Sequence, residues 1–181
     1  MASILNVDQI NNAAGTSAVT IDPSTGKPSF PNGATLPAGS VIQVVQGTVA
    51  AQAVLSSTSF VDTGVTATIT PSSTASKILV ITQHGWSHYQ TGNVPITFYL
   101  NVLRGSTPIG SKALSQGGAA SSTNYFYGAL DGTLHVLDSP ATTSAVTYKT
   151  QVRAGPTANN MDMKISNGNG LSSITLMEIA Q

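Results

Sequence analysis

The sequence contains no cysteine and little charge. Seven Lys and Arg residues and seven Asp and Glu residues make 8% of the chain charged, with no net formal charge, whereas an ordinary soluble domain is about 25% charged. Without cysteine the chain can form no disulfide, thiolate nucleophile or Cys-ligated zinc site. Without an excess of basic residues it cannot neutralise a nucleic-acid backbone or an anionic membrane by bulk charge. We therefore expect no nucleic-acid partner.

Long apolar runs are also missing. No stretch approaches the roughly 20 apolar residues that span a bilayer, and residues 1–10 lack the basic start and apolar centre of a signal peptide. We therefore expect neither membrane insertion nor a secretion signal. Residues with hydroxyl side chains take the place of charged ones. The chain has 22 serines and 23 threonines.

Residues 1–40 differ in composition from the rest and are predicted to form an extended N-terminal attachment arm. They contain four of the nine prolines and a single aromatic residue, Phe30, which is too little for a core. Such an arm exposes unpaired backbone, so we expect it to be ordered by docking on its own body, on a sister chain or on a partner. A floppy tail is the alternative, which the embedded Ile and Val residues disfavour. The predicted docking residues are Ile4, Leu5, Val7, Ile10, Val19 and Ile21.

From residue 41 onwards the pattern is typical of β-strands. Residues 65–70 alternate with period two, residues 77–82 form a short buried-strand run, and residues 124–130 and 133–137 are predicted as separate strands. No window shows a convincing helical period. Roughly ten strands in residues 41–181 predict an all-β body, an antiparallel jelly-roll β-sandwich of about eight to ten strands. A seven-strand immunoglobulin-like domain needs only about 100 residues and fits less well.

Four neighbouring residues, His84, Trp86, His88 and Tyr89, are candidates for an interface or surface contact. On an extended strand the two histidines point to one side but lie about 13 Å apart, too far to share a metal ion within one chain. A ring of one histidine from each of three chains is the remaining metal hypothesis. Trp86 fits a loop tip, an interface or a core position equally well.

The sequence shows none of the common arrangements of catalytic residues. It has no thiol, no Gly-x-Ser-x-Gly elbow, no phosphate-binding glycine loop, and its seven acidic residues are scattered singly. We therefore predict no enzymatic activity, no catalytic residue and no cofactor.

The scarcity of charge favours self-association, because little repulsion keeps copies apart. Polar strand positions dotted with tyrosine, such as Thr147-Tyr148, suit a permanent interface, since interface cores are poor in Lys, Glu and Asp and rich in Tyr. We predict a homo-oligomer. The alternative is a monomer kept in solution by its hydroxyl groups.

The segments SILNVDQINN (3–12), GTSAVTID (15–22) and FPNG (30–33) resemble the N-terminal region of tail-fibre and other virion structural proteins of tailed bacteriophages. The remainder is similar to the small β-sandwich body of those proteins, notably STSFVDTG (57–64), LRGSTP (103–108), VTYK (146–149) and ITLMEI (174–179). The resemblance covers nearly the whole chain. It implies a homotrimer with a jelly-roll body like those of tumour-necrosis-factor-type and C1q-type domains.

The resemblance leads to a hypothesis of a non-enzymatic virion component, assembled in the host cytoplasm. The favoured version is a short trimeric tail fibre, docked by its arm on tail or baseplate proteins, with loops that contact the host surface and a host glycan as candidate ligand. His84, Trp86, His88 and Tyr89 would belong to that contact or to an interface. The alternative is a capsid head-decoration or cement protein, and a third hypothesis is a glycan-binding or depolymerising adhesin.

Overall fold

A computed structural model describes residues 8–30, 36–50, 53–55, 57–91, 96–116, 125–155, 161–165 and 171–181, with the backbone alone at 53–55, 87–91, 96, 115–116, 125–131 and 161–165. The described residues form thirteen strands and no helix, which confirms the all-β prediction. The strands are β1 (Gln9–Asn11), β2 (Ser17–Ile21), β3 (Pro28–Ser29), β4 (Val41–Val49), β5 (Ala53–Leu55), β6 (Val61–Ile69), β7 (Lys77–Thr91), β8 (Ile96–Arg104), β9 (Thr107–Gln116), β10 (Tyr125–Asp138), β11 (Val146–Ala154), β12 (Met161–Ile165) and β13 (Ser172–Ile179).

The chain divides into two compact units, Met1–Pro37 and Ala38–Gln181. In the first unit β1, β2 and β3 form an antiparallel sheet. Asn12 closes the first turn, because its Oδ1 accepts hydrogen bonds from the backbone N–H groups of Ala14 and Thr16, each at 3.0 Å. None of the described residues 8–30 is fully buried, so this part of the unit has no core of its own.

The second unit is a two-layer sandwich. In one sheet the long strand β7 is central. It pairs with β10 along one edge, and along the other edge it pairs first with β13 and then with β12. The outer strands are β4, which pairs with β13, and β5, which pairs with β12. The other sheet has the order β6-β11-β8-β9. The principal pairs are nested along the chain, since β4 joins β13, β6 joins β11, β7 joins β10 and β8 joins β9, all antiparallel.

The core lies between these two sheets, as period-two alternation requires. In β6 every second residue from Thr63 to Ile69 is buried, and β13 alternates in the same way from Ser172 to Glu178. One cluster of buried side chains centres on Ile78, Val80 and Tyr148, and a second contains Trp86, Phe98 and Leu100.

Three strands of this unit are joined by a polar cluster around Asp138. The Asp138 carboxylate accepts hydrogen bonds from Arg104 Nη1 at 3.0 and 3.1 Å and from the Tyr148 hydroxyl at 2.7 Å. Burial raises the pKa of the Tyr148 phenol, and the hydrogen bond to Asp138 raises it further. Tyr148 is fully buried, so the expectation that this tyrosine belongs to an outer interface is wrong.

A second polar cluster fixes the end of β13. Glu178 is fully buried and accepts hydrogen bonds from the backbone N–H and hydroxyl of Ser72, at 2.7 and 2.6 Å, and from Gln43 Nε2 at 2.6 Å. Burial alone would raise the pKa of Glu178, but these hydrogen bonds outweigh it and lower the pKa to about 2. A buried carboxylate is tolerated here because its lone pairs are satisfied.

The structure corrects the prediction of separate strands at residues 124–130 and 133–137. Residues 125–138 form one continuous strand, β10, which runs beside β7 without a break. Gly132 lies in the middle because a Cβ there would collide with Trp86 Nε1 and approach Leu114 Cδ1 to 2.8 Å. This glycine makes room for an indole ring and does not form a turn.

We expect Gly132→Ala to destabilise the body. The added methyl group has no space beside Trp86, and overpacking of a core costs about 1–3 kcal/mol. Urea unfolding of the variant measures the change in free energy of unfolding. Thr133→Ala, at the next and exposed position, is the matched control and should stay within about 0.5 kcal/mol of the parent. Equal stabilities of the two variants would contradict the packing role of Gly132.

Candidate functional site

The predicted docking residues of the first unit are only partly described. Ile10 on β1 is 51% exposed and pairs with Val19 of β2, which is half-buried like Ile21. Ile4, Leu5 and Val7 lie outside the described residues. The attachment role of this segment stays a prediction.

Of the four candidate contact residues, two have described side chains and both are buried. His84 is 0% exposed and Trp86 is 3% exposed, because β7 continues through this segment and directs both between the sheets. Their ring centroids are 5.3 Å apart, and Trp86 stacks on Phe98 at 6.2 Å. Contact with a host molecule or a second chain does not fit this burial. The side chains of His88 and Tyr89 lie outside the description, so their contact role stays a prediction.

His84 is a neutral core residue. Neither of its ring nitrogens has a hydrogen-bond partner among the described residues, and desolvation lowers its pKa to about 4. Within the described part of the chain, no three His, Asp or Glu side chains come together as a metal site would require. The same part of the chain has no helix with the length and hydropathy that crossing a membrane demands.

Three acidic side chains of the body are engaged in separate polar clusters. Asp138 and Glu178 hold the clusters described above, and Asp62 accepts hydrogen bonds from Lys149 Nζ at 2.8 Å and Gln151 Nε2 at 2.7 Å. The bond from Lys149, followed by that from Gln151, lowers the pKa of Asp62. General acid catalysis needs a carboxyl with a raised pKa, and Asp62 and Glu178 are shifted the opposite way.

The outer face of the sheet containing β7 carries an apolar band that sequence reasoning missed. Register aligns Val44 of β4, Met177 of β13, Leu79 of β7 and Leu137 of β10 in one row across four strands. Val44 is 55% exposed and Leu137 is 56% exposed, while Leu79 and Met177 are half-buried. We call these four residues the aliphatic row. Contiguous exposed apolar side chains are a common feature of protein–protein interaction sites.

Lys77 flanks the aliphatic row on one side, but the two rows on its other side are free of formal charge. The next row contains Gln46, Thr175, Ile81 and His135, and the one after it contains Thr48, Ser173, Gln83 and Thr133. Interface cores are depleted of charged residues in this way. The sequence signal was present in the mixed apolar run of residues 41–45, but strand period alone does not say which members face outward.

No protein-family model matches this chain, and a search of curated proteins finds no similar sequence.

The burial of His84 predicts a loss of stability in mild acid. The unfolded histidine takes up a proton near pH 6.5, but the folded one only near pH 4, so acidification through this interval favours the unfolded state. The free energy of unfolding should fall with a slope approaching 1.4 kcal/mol per pH unit.

Urea unfolding at fixed protein concentration, from pH 6.5 down to about pH 4, measures this slope. His84→Leu removes the titrating group and should flatten the slope over this interval, whereas His135→Gln, at an exposed position, should leave it unchanged. If His84→Leu kept the parental slope, His84 would not be the source of the acid sensitivity.

Proposed function

We propose that the chain is a non-enzymatic structural subunit of a tailed-phage virion, a short trimeric tail fibre. Its body associates with two sister chains through the aliphatic row, and its N-terminal unit attaches the trimer to tail or baseplate proteins. The observation that carries the proposed association is the row of Val44, Met177, Leu79 and Leu137 across one sheet, exposed at its two ends, Val44 and Leu137.

A second copy is the occupant that suits this face best. The two uncharged rows beside it offer Gln, Thr, Ser and His side chains, which can hydrogen-bond to identical partners, and the chain has no net formal charge to repel its copies. The trimeric order itself comes from the resemblance to tail-fibre bodies.

The strand order supports the proposed jelly-roll body. A jelly roll is a two-sheet fold of eight strands arranged as two Greek keys. Nested pairing of β4 with β13, β6 with β11, β7 with β10 and β8 with β9 suits that arrangement, since it folds one long hairpin across both sheets.

The first unit supports attachment to a partner. Its described residues 8–30 include no buried side chain, and Ile10 and Phe30 are each 51% exposed. Apolar side chains on short strands with open edges are suited to main-chain addition against a neighbouring sheet.

We expect the purified chain to have a mass near 55 kDa by light scattering, three times the 18.4 kDa of one chain. Val44→Glu and Leu137→Glu each place a carboxylate in the aliphatic row, and burying that charge should dissociate the trimer. Thr68→Glu, at an exposed position on the other sheet, is the control and should remain trimeric. A parent chain that is monomeric at high concentration would overturn the assembly.

Position on the particle is tested by counting copies. Quantitative mass spectrometry of purified virions should find the chain at a few trimers per particle, because fibres are few. Copies in proportion to the major capsid protein would instead identify a head-decoration protein, and absence of the chain from particles would overturn the virion assignment.

A further inference from the structure

A cavity opens on the outer face of the second sheet, the one formed by β6, β11, β8 and β9. Its volume of about 410 Å³ falls within the range of about 300–1,000 Å³ typical of small-ligand sites. The lining residues are Phe60, Tyr99, Asn101, Pro108, Gly110, Ser111 and Arg153.

Arg153 is the cation of this cavity and is held by aromatic rings. It lies opposite Tyr99 in the register of β11 and β8. Its guanidinium carbon is 3.8 Å from the centroid of the Tyr99 ring and 5.2 Å from that of Phe60. Stacking of this kind fixes the guanidinium plane while its edge N–H groups stay available for a planar anion. One of them, on Nη1, donates to the Ala154 carbonyl at 3.3 Å.

No carboxylate of the described residues neutralises Arg153. The chain has two arginines, and Arg104 is paired with Asp138 at 3.0 Å. Asp62, which lies on the same outer face, already binds Lys149 and Gln151 through both of its oxygens. The guanidinium of Arg153 is therefore an anion-binding group without an anion from its own described surroundings.

The cavity also holds an unsatisfied hydrogen-bond acceptor. Asn101 is 7% exposed, and its Oδ1 has no hydrogen-bond partner among the described residues. A buried acceptor left unpaired is costly, and a turn of the Asn101 amide toward the cavity would let a ligand hydroxyl satisfy it. Ser111, directly opposite Asn101 on β9, adds an exposed hydroxyl that can both donate and accept.

We propose that this cavity binds a sugar that carries a carboxylate, such as a hexuronic acid. The carboxylate pairs with the edge of Arg153, which favours bidentate geometry. The ring hydroxyls bond to Asn101 Oδ1 and Ser111, and Phe60, 37% exposed, offers an apolar wall to the C–H face of the ring. A carboxylate alone would leave Asn101 unsatisfied, and a neutral sugar would leave Arg153 unpaired.

Sugar binding at this cavity does not depend on association of the chains. The cavity and the aliphatic row lie on the outer faces of different sheets, so a single chain presents the cavity, and copies seated on the aliphatic row leave it open. Loss of the trimer in Val44→Glu should therefore leave sugar binding intact, which separates a failure of one proposal from a failure of the other.

NMR titration of the full chain with methyl β-glucuronide tests the site. Methyl β-glucoside, acetate and a short Glu-containing peptide serve as competing probes. We expect the glucuronide to shift the amide resonances of residues around Arg153 and to bind at least about tenfold more tightly than each competing probe. Arg153→Gln should weaken glucuronide binding at least about tenfold, and Arg153→Lys by a smaller factor, because lysine keeps the charge but not the fork.

Two further variants test the hydroxyl contact and control for loss of positive charge. Ser111→Ala, at an exposed position, should weaken glucuronide binding severalfold without affecting folding, and Lys77→Gln, on the other sheet, is the charge-matched control with unchanged binding. Equal affinity for glucuronide and glucoside, tighter binding of acetate or peptide, or unchanged binding by a folded Arg153→Gln chain would each overturn the proposal.

Discussion

The two-residue alternation of side chains along β7 is the constraint on which the rest of the body depends. Inward positions hold Ile78, Val80, Thr82, His84 and Trp86, all buried, so the same strand must place Leu79 and Ile81 on its outer face. Because β7 pairs with β10 on one edge and with β13 on the other, it also aligns the outward residues of its neighbours. The aliphatic row is therefore a consequence of register as much as of composition.

Several of the few charged residues join strands in the polar clusters. Five of the 14 charged residues, namely Asp62, Arg104, Asp138, Lys149 and Glu178, belong to three clusters that join different strands. Charge is stable there because each carboxylate accepts at least two hydrogen bonds. These charges join strands, whereas the outward rows through Ile81 and Gln83 contain no formal charge.

The sequence predicted elements whose signal is local and missed those that depend on distant neighbours. The period-two pattern in residues 65–70 was sufficient to predict β6, because a half-buried strand needs nothing more than alternation. Gly132 looked like a strand boundary. Glycine stands there because the indole of Trp86 on a neighbouring strand leaves no room for a Cβ. His84 looked like a surface group, yet its neutral imidazole fits the core because desolvation keeps it unprotonated. The cavity around Arg153 could not be foreseen, since its lining comes from β8, β9, β11 and the residue preceding β6.

The two outer faces of the sandwich differ in chemistry, and the proposed assembly and sugar binding each use one of them. The face of β4, β13, β7 and β10 offers aliphatic side chains, whose burial is favourable against any matching apolar surface, including the same face of a sister chain. The face of β6, β11, β8 and β9 offers Asp62, Lys149, Gln151 and Arg153, which are costly to bury without partners. A subunit joined through the first face keeps the second in water, so a trimer would carry three identical cavities around one axis. Three weak sites held together bind a repetitive polysaccharide far more tightly than one site does, by raising the effective concentration of the second and third contacts. In the proposed trimer, assembly through one sheet would thus determine how strongly the other sheet holds the proposed sugar.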